Sequence, residues 1–132
     1  MKFKSEEHFN IILRQVRKLY DHRNKTTPRE VRRKEMEYKL LKSLLNKMEP
    51  LVKPNNMHEK DFLFSRQELR AIQSLCIQGR KVLNELIIPG YEERAKKEEK
   101  QEIKDTYAEY QAKAEKTDVL YAEIITDLDA VL

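Results

Sequence analysis

Residues 65–90 read SRQELRAIQSLCIQGRKVLNELIIPG, and this stretch decides the fold. Ser65 and Glu68 stand three apart, the spacing of a capping box, in which each side chain satisfies a free backbone N–H of the other. Behind the box, Leu69, Ile72, Cys76, Gly79, Leu83 and Leu86 recur in steps of three and four, with Leu75 and Val82 beside them. That period is one face of an amphipathic helix. Gly79 falls on the apolar seam. A glycine inside a helix costs about 1 kcal/mol against alanine, so a close approach of another helix is the expected reason for it. Pro89-Gly90 predicts the end of this helix near Ile88.

On the C-terminal side, residues 91–102 are almost wholly charged, with Glu92–Lys96 and Glu93–Lys97 at favourable i,i+4 spacing. From Ile103 a 4,3 repeat runs through Tyr107, Tyr110, Ala114, Thr117, Tyr121, Ile124, Leu128 and Val131, a heptad seam. Tyr91–Leu132 therefore reads as one helix of 42 residues, about 63 Å long at 1.5 Å per residue. At that length part of it is expected to project or to pair with another chain. Ile103, Tyr107, Tyr110, Tyr121, Ile124 and Leu128 are the expected partner or homo-oligomer interface.

On the N-terminal side, residues 49–64 with Pro50, Pro54, Asn55 and Asn56 read as a linker loop. Phe62, Leu63 and Phe64 are apolar and expected to fold back on the core. Two further helices precede it. The first spans about Glu6–His22, capped by Ser5, with Phe9, Ile12, Leu13, Val16, Leu19 and Tyr20 on one stripe. The second starts from Thr27-Pro28-Arg29-Glu30, a capping box with proline at the first helical position. It is expected to run to about Met48 with Val31, Tyr38, Leu41, Leu45 and Met48 facing inward. A short polar turn joins the two into an antiparallel hairpin.

The resulting expectation is an all-α single domain. Residues 1–48 form a basic helical hairpin, 49–64 a linker, and 65–132 a second hairpin with a long heptad-bearing C-terminal helix. The two hairpins form a four-helix bundle or an elongated helical assembly. Composition agrees: 39% of the 132 residues are hydrophobic and 38% charged, a thin core under a large solvated surface. Two glycines are too few for the tight turns of an all-β chain, and neither GxGxxG nor GxxxxGK can be written. No apolar run approaches the roughly 20 residues of a membrane span. A single cysteine, Cys76, excludes an internal disulfide and points to a reducing, cytoplasmic setting.

Charge is distributed unevenly. Residues 1–60 hold 16 Lys+Arg and 8 Asp+Glu, whereas residues 61–132 hold 11 and 15. The sharpest stretch, Arg14 to Lys34, carries nine basic residues against Asp21 and Glu30. Arg29, Arg32 and Arg33 would crowd the N-terminal turns of the second helix, where positive charge is unfavourable. A local rule broken without compensation is where function is looked for. Arg14, Arg17, Lys18, Arg23, Lys25, Arg29, Arg32 and Arg33 are thus the expected contacts to nucleic acid or to an acidic partner surface. No helix-turn-helix, zinc-finger or basic-zipper signature accompanies them. Tyr20 and Tyr38 lie on apolar stripes and are expected to pack in the core.

Catalytic and metal chemistry have little to stand on. His8, His22 and His58 are far apart, with neither HExxH nor Glu-x-x-His among them. Cys76 sits on an apolar seam, where a thiol is an inert small hydrophobe. No catalytic residue, metal ligand, cofactor or small-molecule substrate is expected.

One enzymatic pattern is present. Arg17-Lys18-Leu19-Tyr20-Asp21-His22 is R-x4-H, and it resembles the active-site signature of HEPN-type helical ribonucleases. The resemblance implies an arginine and a histidine acting together on an RNA phosphate. The leading expectation is different: a small non-enzymatic binding protein, a regulator or inhibitor that docks on nucleic acid or on a complex handling it. By association, such chains suit the accessory proteins of phages and mobile elements. A structural protein that assembles through the heptad helix is the alternative class, and the ribonuclease is the second alternative.

Overall fold

The computed structural model describes residues 1–49 and 56–132. The described residues are helical, with no strand among them. They form two compact units, Met1–Ile72 together with Leu132, and Gln73–Val131.

In the first unit, α1 (Glu6–Thr26) packs on α3 (Met36–Met48), with the single turn α2 (Arg29–Arg32) between them in sequence. Ser5, in extended conformation, caps α1 by accepting a hydrogen bond from the His8 amide. Phe9, Ile12, Leu13 and Val16 of α1 and Leu41, Leu44 and Met48 of α3 are buried, as their spacing requires. Phe62 is also buried, stacked on Phe9 and Phe64 at 5.8 and 5.2 Å, and Phe3 meets Phe9 and Phe62 edge-on. The expected fold-back of this segment holds for Phe62 and Phe64. Leu63 instead points outward, 86% exposed. Pro50, Pro54 and Asn55 of the expected linker lie outside the described residues.

Two boundaries here differ from the sequence expectation. Helix α1 continues four residues past His22, to Thr26. No apolar residue marks that extension. The end is held by polar groups instead: Thr26 Oγ1 donates back to the His22 carbonyl, and Arg32 donates to the carbonyls of Asn24 and Thr27. The expected single helix from Thr27 to Met48 is broken. Thr27 ends α1 rather than starting a helix, α2 has no side-chain cap, and the chain turns extended at Glu35 before α3 begins. Val31, expected on the inner stripe, is 51% exposed. Without an apolar anchor at Val31, no burial holds a continuous helix through this stretch.

Helix α4 (Arg66–Val82) starts from the capping box that Ser65 and Glu68 announce. The Glu68 amide donates to Ser65 Oγ at 3.1 Å, and the Ser65 amide donates to Glu68 Oε1 at 2.8 Å. Glu68 is buried, and its carboxylate also accepts from Ser43 Oγ and from the Lys47 ammonium. Burial works to raise its pKa, but the bonds from Lys47, Ser65 and Ser43 overcome this and hold it below the usual value.

The second unit is a helical hairpin. The expected stop at Pro89-Gly90 does not occur. A π-helical turn over Leu83–Ile87 joins α4 to α5 (Ile88–Lys97), so the helical path runs on past the proline. The wider turn resets the register, so Pro89 sits at the start of α5, where no amide is demanded of it. Gly90 keeps a negative φ and does not act as a cap. The break falls instead at Glu98–Lys100. There the Glu98 carboxylate accepts from the amides of Glu99 and Lys100, and α6 (Gln101–Asp129) turns back along α5. The expected 42-residue helix is therefore two helices. Its charged first part, α5, packs along α6 of the same chain.

Register along this hairpin is marked by polar pairs. Glu92 accepts from Gln111, Asp118 accepts from both Arg80 and Asn84 at 2.9 Å, and Asp129 accepts from Gln73. Gly79 faces Tyr121 so closely that an added Cβ would stand 2.7 Å from the ring, which is the close helix approach its place on the seam predicts. Cys76 is fully buried, and burial pushes its thiol up to about 12.

Candidate functional site

The basic tip is built where α1 ends, α2 turns and α3 begins. Tyr20 of α1 and Tyr38 of α3 stack with centroids 5.1 Å apart. Their hydroxyls are 3.1 Å apart, and the Tyr38 hydroxyl donates to Asn24 Oδ1 at 2.9 Å. The shared hydrogen bond raises the Tyr20 pKa above the usual phenol value and lowers that of Tyr38. Both tyrosines are half-buried. They pack on each other outside the buried core in which they were expected, and they join the ends of the two helices.

The eight expected contact residues divide into two groups. Arg17, Arg23 and Arg32 are spent on the fold. Arg17 pairs with Glu49, Arg23 pairs with Glu35, and Arg32 lies over the Tyr38 ring while donating to the carbonyls at the end of α1. The Glu49 hydrogen bond raises the Arg17 pKa further. Arg32 thus complements the negative end of a helix dipole rather than opposing a positive one. The electrostatic conflict expected from a continuous second helix is removed by the break at Glu35, because α3 starts beyond all three arginines.

Arg14, Lys18, Lys25, Arg29 and Arg33 form the second group and are exposed. Lys34 is exposed beside them. It ends the basic run Arg14 to Lys34, although it is not one of the eight. On α1, Arg14, Lys18 and Lys25 fall within about 40° of arc, directly opposite the buried stripe. Asp21 interrupts that row. The clasp residues Asn24 and Glu35 carry no sequence signal of their own, because their roles depend on tertiary partners 14 and 12 positions away.

The R-x4-H pair lies on α1. Arg17 is held toward Glu49, and His22 is exposed. Five positions along a regular helix turn side chains about 140° apart. Among the described residues, no three His, Cys, Asp or Glu side chains gather so as to hold a metal ion.

The six residues of the expected assembly seam also divide. Tyr121, Ile124 and Leu128 are buried within the chain. Tyr107 and Tyr110 lean on Tyr91, with centroids 6.4 and 5.7 Å away. Ile103 and Tyr110 remain exposed near the hairpin turn.

Compared with known protein families, curated proteins and solved structures, the chain matches none of them. No helix among the described residues is long and apolar enough to cross a membrane.

Proposed function

We propose that this chain is a non-enzymatic binding protein, a regulator or inhibitor that docks on nucleic acid through the tip formed by α1, α2 and the start of α3. One observation carries the reading. Lys18, Lys25, Arg29, Arg33 and Lys34, with Arg14 further back along α1, are six exposed cations against the exposed acids Asp21, Glu30 and Glu37, and Glu35 is already paired with Arg23. Exposed cations on a rigid support release counterions from phosphates at little ordering cost, which is the sequence-independent part of nucleic-acid affinity. They also steer association over about a Debye length, roughly 8 Å in physiological salt.

Labelled DNA and RNA titrated at several salt concentrations test this. Binding with a steep salt slope is expected, about −0.9 per phosphate neutralised on duplex DNA. Arg29→Glu with Arg33→Glu should weaken binding and flatten that slope, while the exposed positions leave the fold intact. Absence of binding even at low salt overturns the reading and directs the search to an acidic protein surface.

A further inference from the structure

From its place beside the lysines of α1, we infer that His22 is a further phosphate contact of the tip, and that docking tightens as the solution is acidified. The inference rests on the nucleic-acid reading above and adds a regulation to it. His22 is exposed. It stands four residues after Lys18 and three before Lys25 on α1, the two spacings that make side chains neighbours on a helix surface. Around the helix axis it falls within about 60° of both lysines. Asp21, also exposed, stands on the other edge of the Lys18–Lys25 line. The line thus has an acid on one side and an imidazole on the other.

Among the described residues no hydrogen bond or ion pair engages the His22 ring, and only its carbonyl is used, by Thr26 Oγ1. Of the charged groups that α2 and α3 bring to the tip, Arg32 donates to the Asn24 and Thr27 carbonyls, and Glu35 pairs with Arg23. Glu37 lies 3.9 Å from the same Arg23 guanidinium. Arg29, Glu30, Arg33 and Lys34 are exposed. The other two histidines are built into the fold. His8 is buried with Nδ1 against Ser5 Oγ, and His58 is half-buried in the single turn Met57–Glu59. Imidazole is the side chain whose ordinary change of charge falls between about pH 5 and pH 8. A phosphate oxygen beside it favours the protonated form, so binding takes up a proton and, by linkage, acid favours binding. Without that proton, Arg14, Lys18 and Lys25 face Asp21 as three cations against one acid. With it, the imidazolium offsets Asp21 and adds one more donor to the row.

The test titrates one labelled duplex DNA at about pH 7.5 and about pH 5.5, toward the two ends of the range in which imidazole changes charge, each at several salt concentrations. The parent chain should bind about three- to tenfold tighter at the lower pH, with a salt slope steeper by about 0.9. His22→Gln should abolish this response. His22→Lys should bind at the higher pH as tightly as the parent chain does at the lower. His58→Gln should keep the response of the parent chain. Equal binding by the parent chain at the two pH values overturns the inference and leaves docking on nucleic acid in place. A response that survives His22→Gln overturns it too. No binding at either pH, even at low salt, overturns the underlying reading as well.

Discussion

The two glycines lie on one helical path and answer oppositely to the same substitution. Gly79 faces the Tyr121 ring, and a methyl there would stand 2.7 Å from Cε2. The ring is buried and has little room to yield. Gly79→Ala should gain about 1 kcal/mol of helix propensity and lose more to overpacking, for a net loss of about 1–2 kcal/mol. Gly90 has nothing within 4 Å of the same methyl. Gly90→Ala should stabilise by about 0.5–1 kcal/mol. Urea midpoints of the two variants check both signs. Glu68 supplies a third test at this scale. Its folded pKa is held below its ordinary value of 4.5. The stability it contributes is therefore present at neutral pH and lost as pH falls through the folded pKa. Glu68→Gln should cost about 1–2 kcal/mol at pH 7. Measured at pH 7 and pH 3, the variant should lose less stability than the parent chain. The seam glycine and the Ser65–Glu68 box were legible in the sequence because each is a short-range pattern. The Lys47 and Ser43 bonds to the same carboxylate were not, since they arrive from another helix.

At the level of elements, existence and type follow from periodicity, whereas the breaks do not. A proline followed by glycine reads as a stop because proline lacks an amide and its ring collides with the preceding turn. The π-helical turn over Leu83–Ile87 removes both objections, and no residue pattern in the sequence announces it. Because Pro89 sits where no amide is demanded of it, Pro89→Ala should change stability by no more than about 1 kcal/mol. A larger drop in stability would show that the hairpin needs the wide turn for its register. The reversal at Glu98–Lys100 was hidden as well. No glycine, proline or asparagine marks it, and a Glu98 side chain provides the acceptor that a cap residue would. Four positions of the heptad seam, Ala114, Tyr121, Ile124 and Leu128, are buried within the chain, whereas Ile103, Tyr110 and Val131 are exposed. Ile124→Ala should accordingly cost about 2–4 kcal/mol, as a fully buried side chain does. Ile103→Glu, near the turn and exposed, should change stability by no more than about 0.5 kcal/mol. Thermal or urea unfolding of the pair separates the packed half of the seam from the open half.

Across the whole molecule, the charge asymmetry was the most legible feature of the sequence and the least resolved one. Counting showed where the cations are but not which are free. Arg17, Arg23 and Arg32 became fold contacts only once Glu49, Glu35 and the end of α1 were brought to them. Substituting those three should therefore lower stability as well as affinity. The free cations should change affinity alone, which unfolding and binding curves on the same variants tell apart. The hairpin has a consequence for the order in which the chain folds. Measured outward from Glu98–Lys100, its cross-pairs join residues 19, 34, 38 and 56 positions apart, from Glu92–Gln111 through Asn84–Asp118 and Arg80–Asp118 to Gln73–Asp129. Each pair, once made, shortens the loop that the next must close, so the chain entropy of every step stays small. The hairpin can thus close as a zipper, from its turn to its open end, with local contacts of the kind that give fast folding.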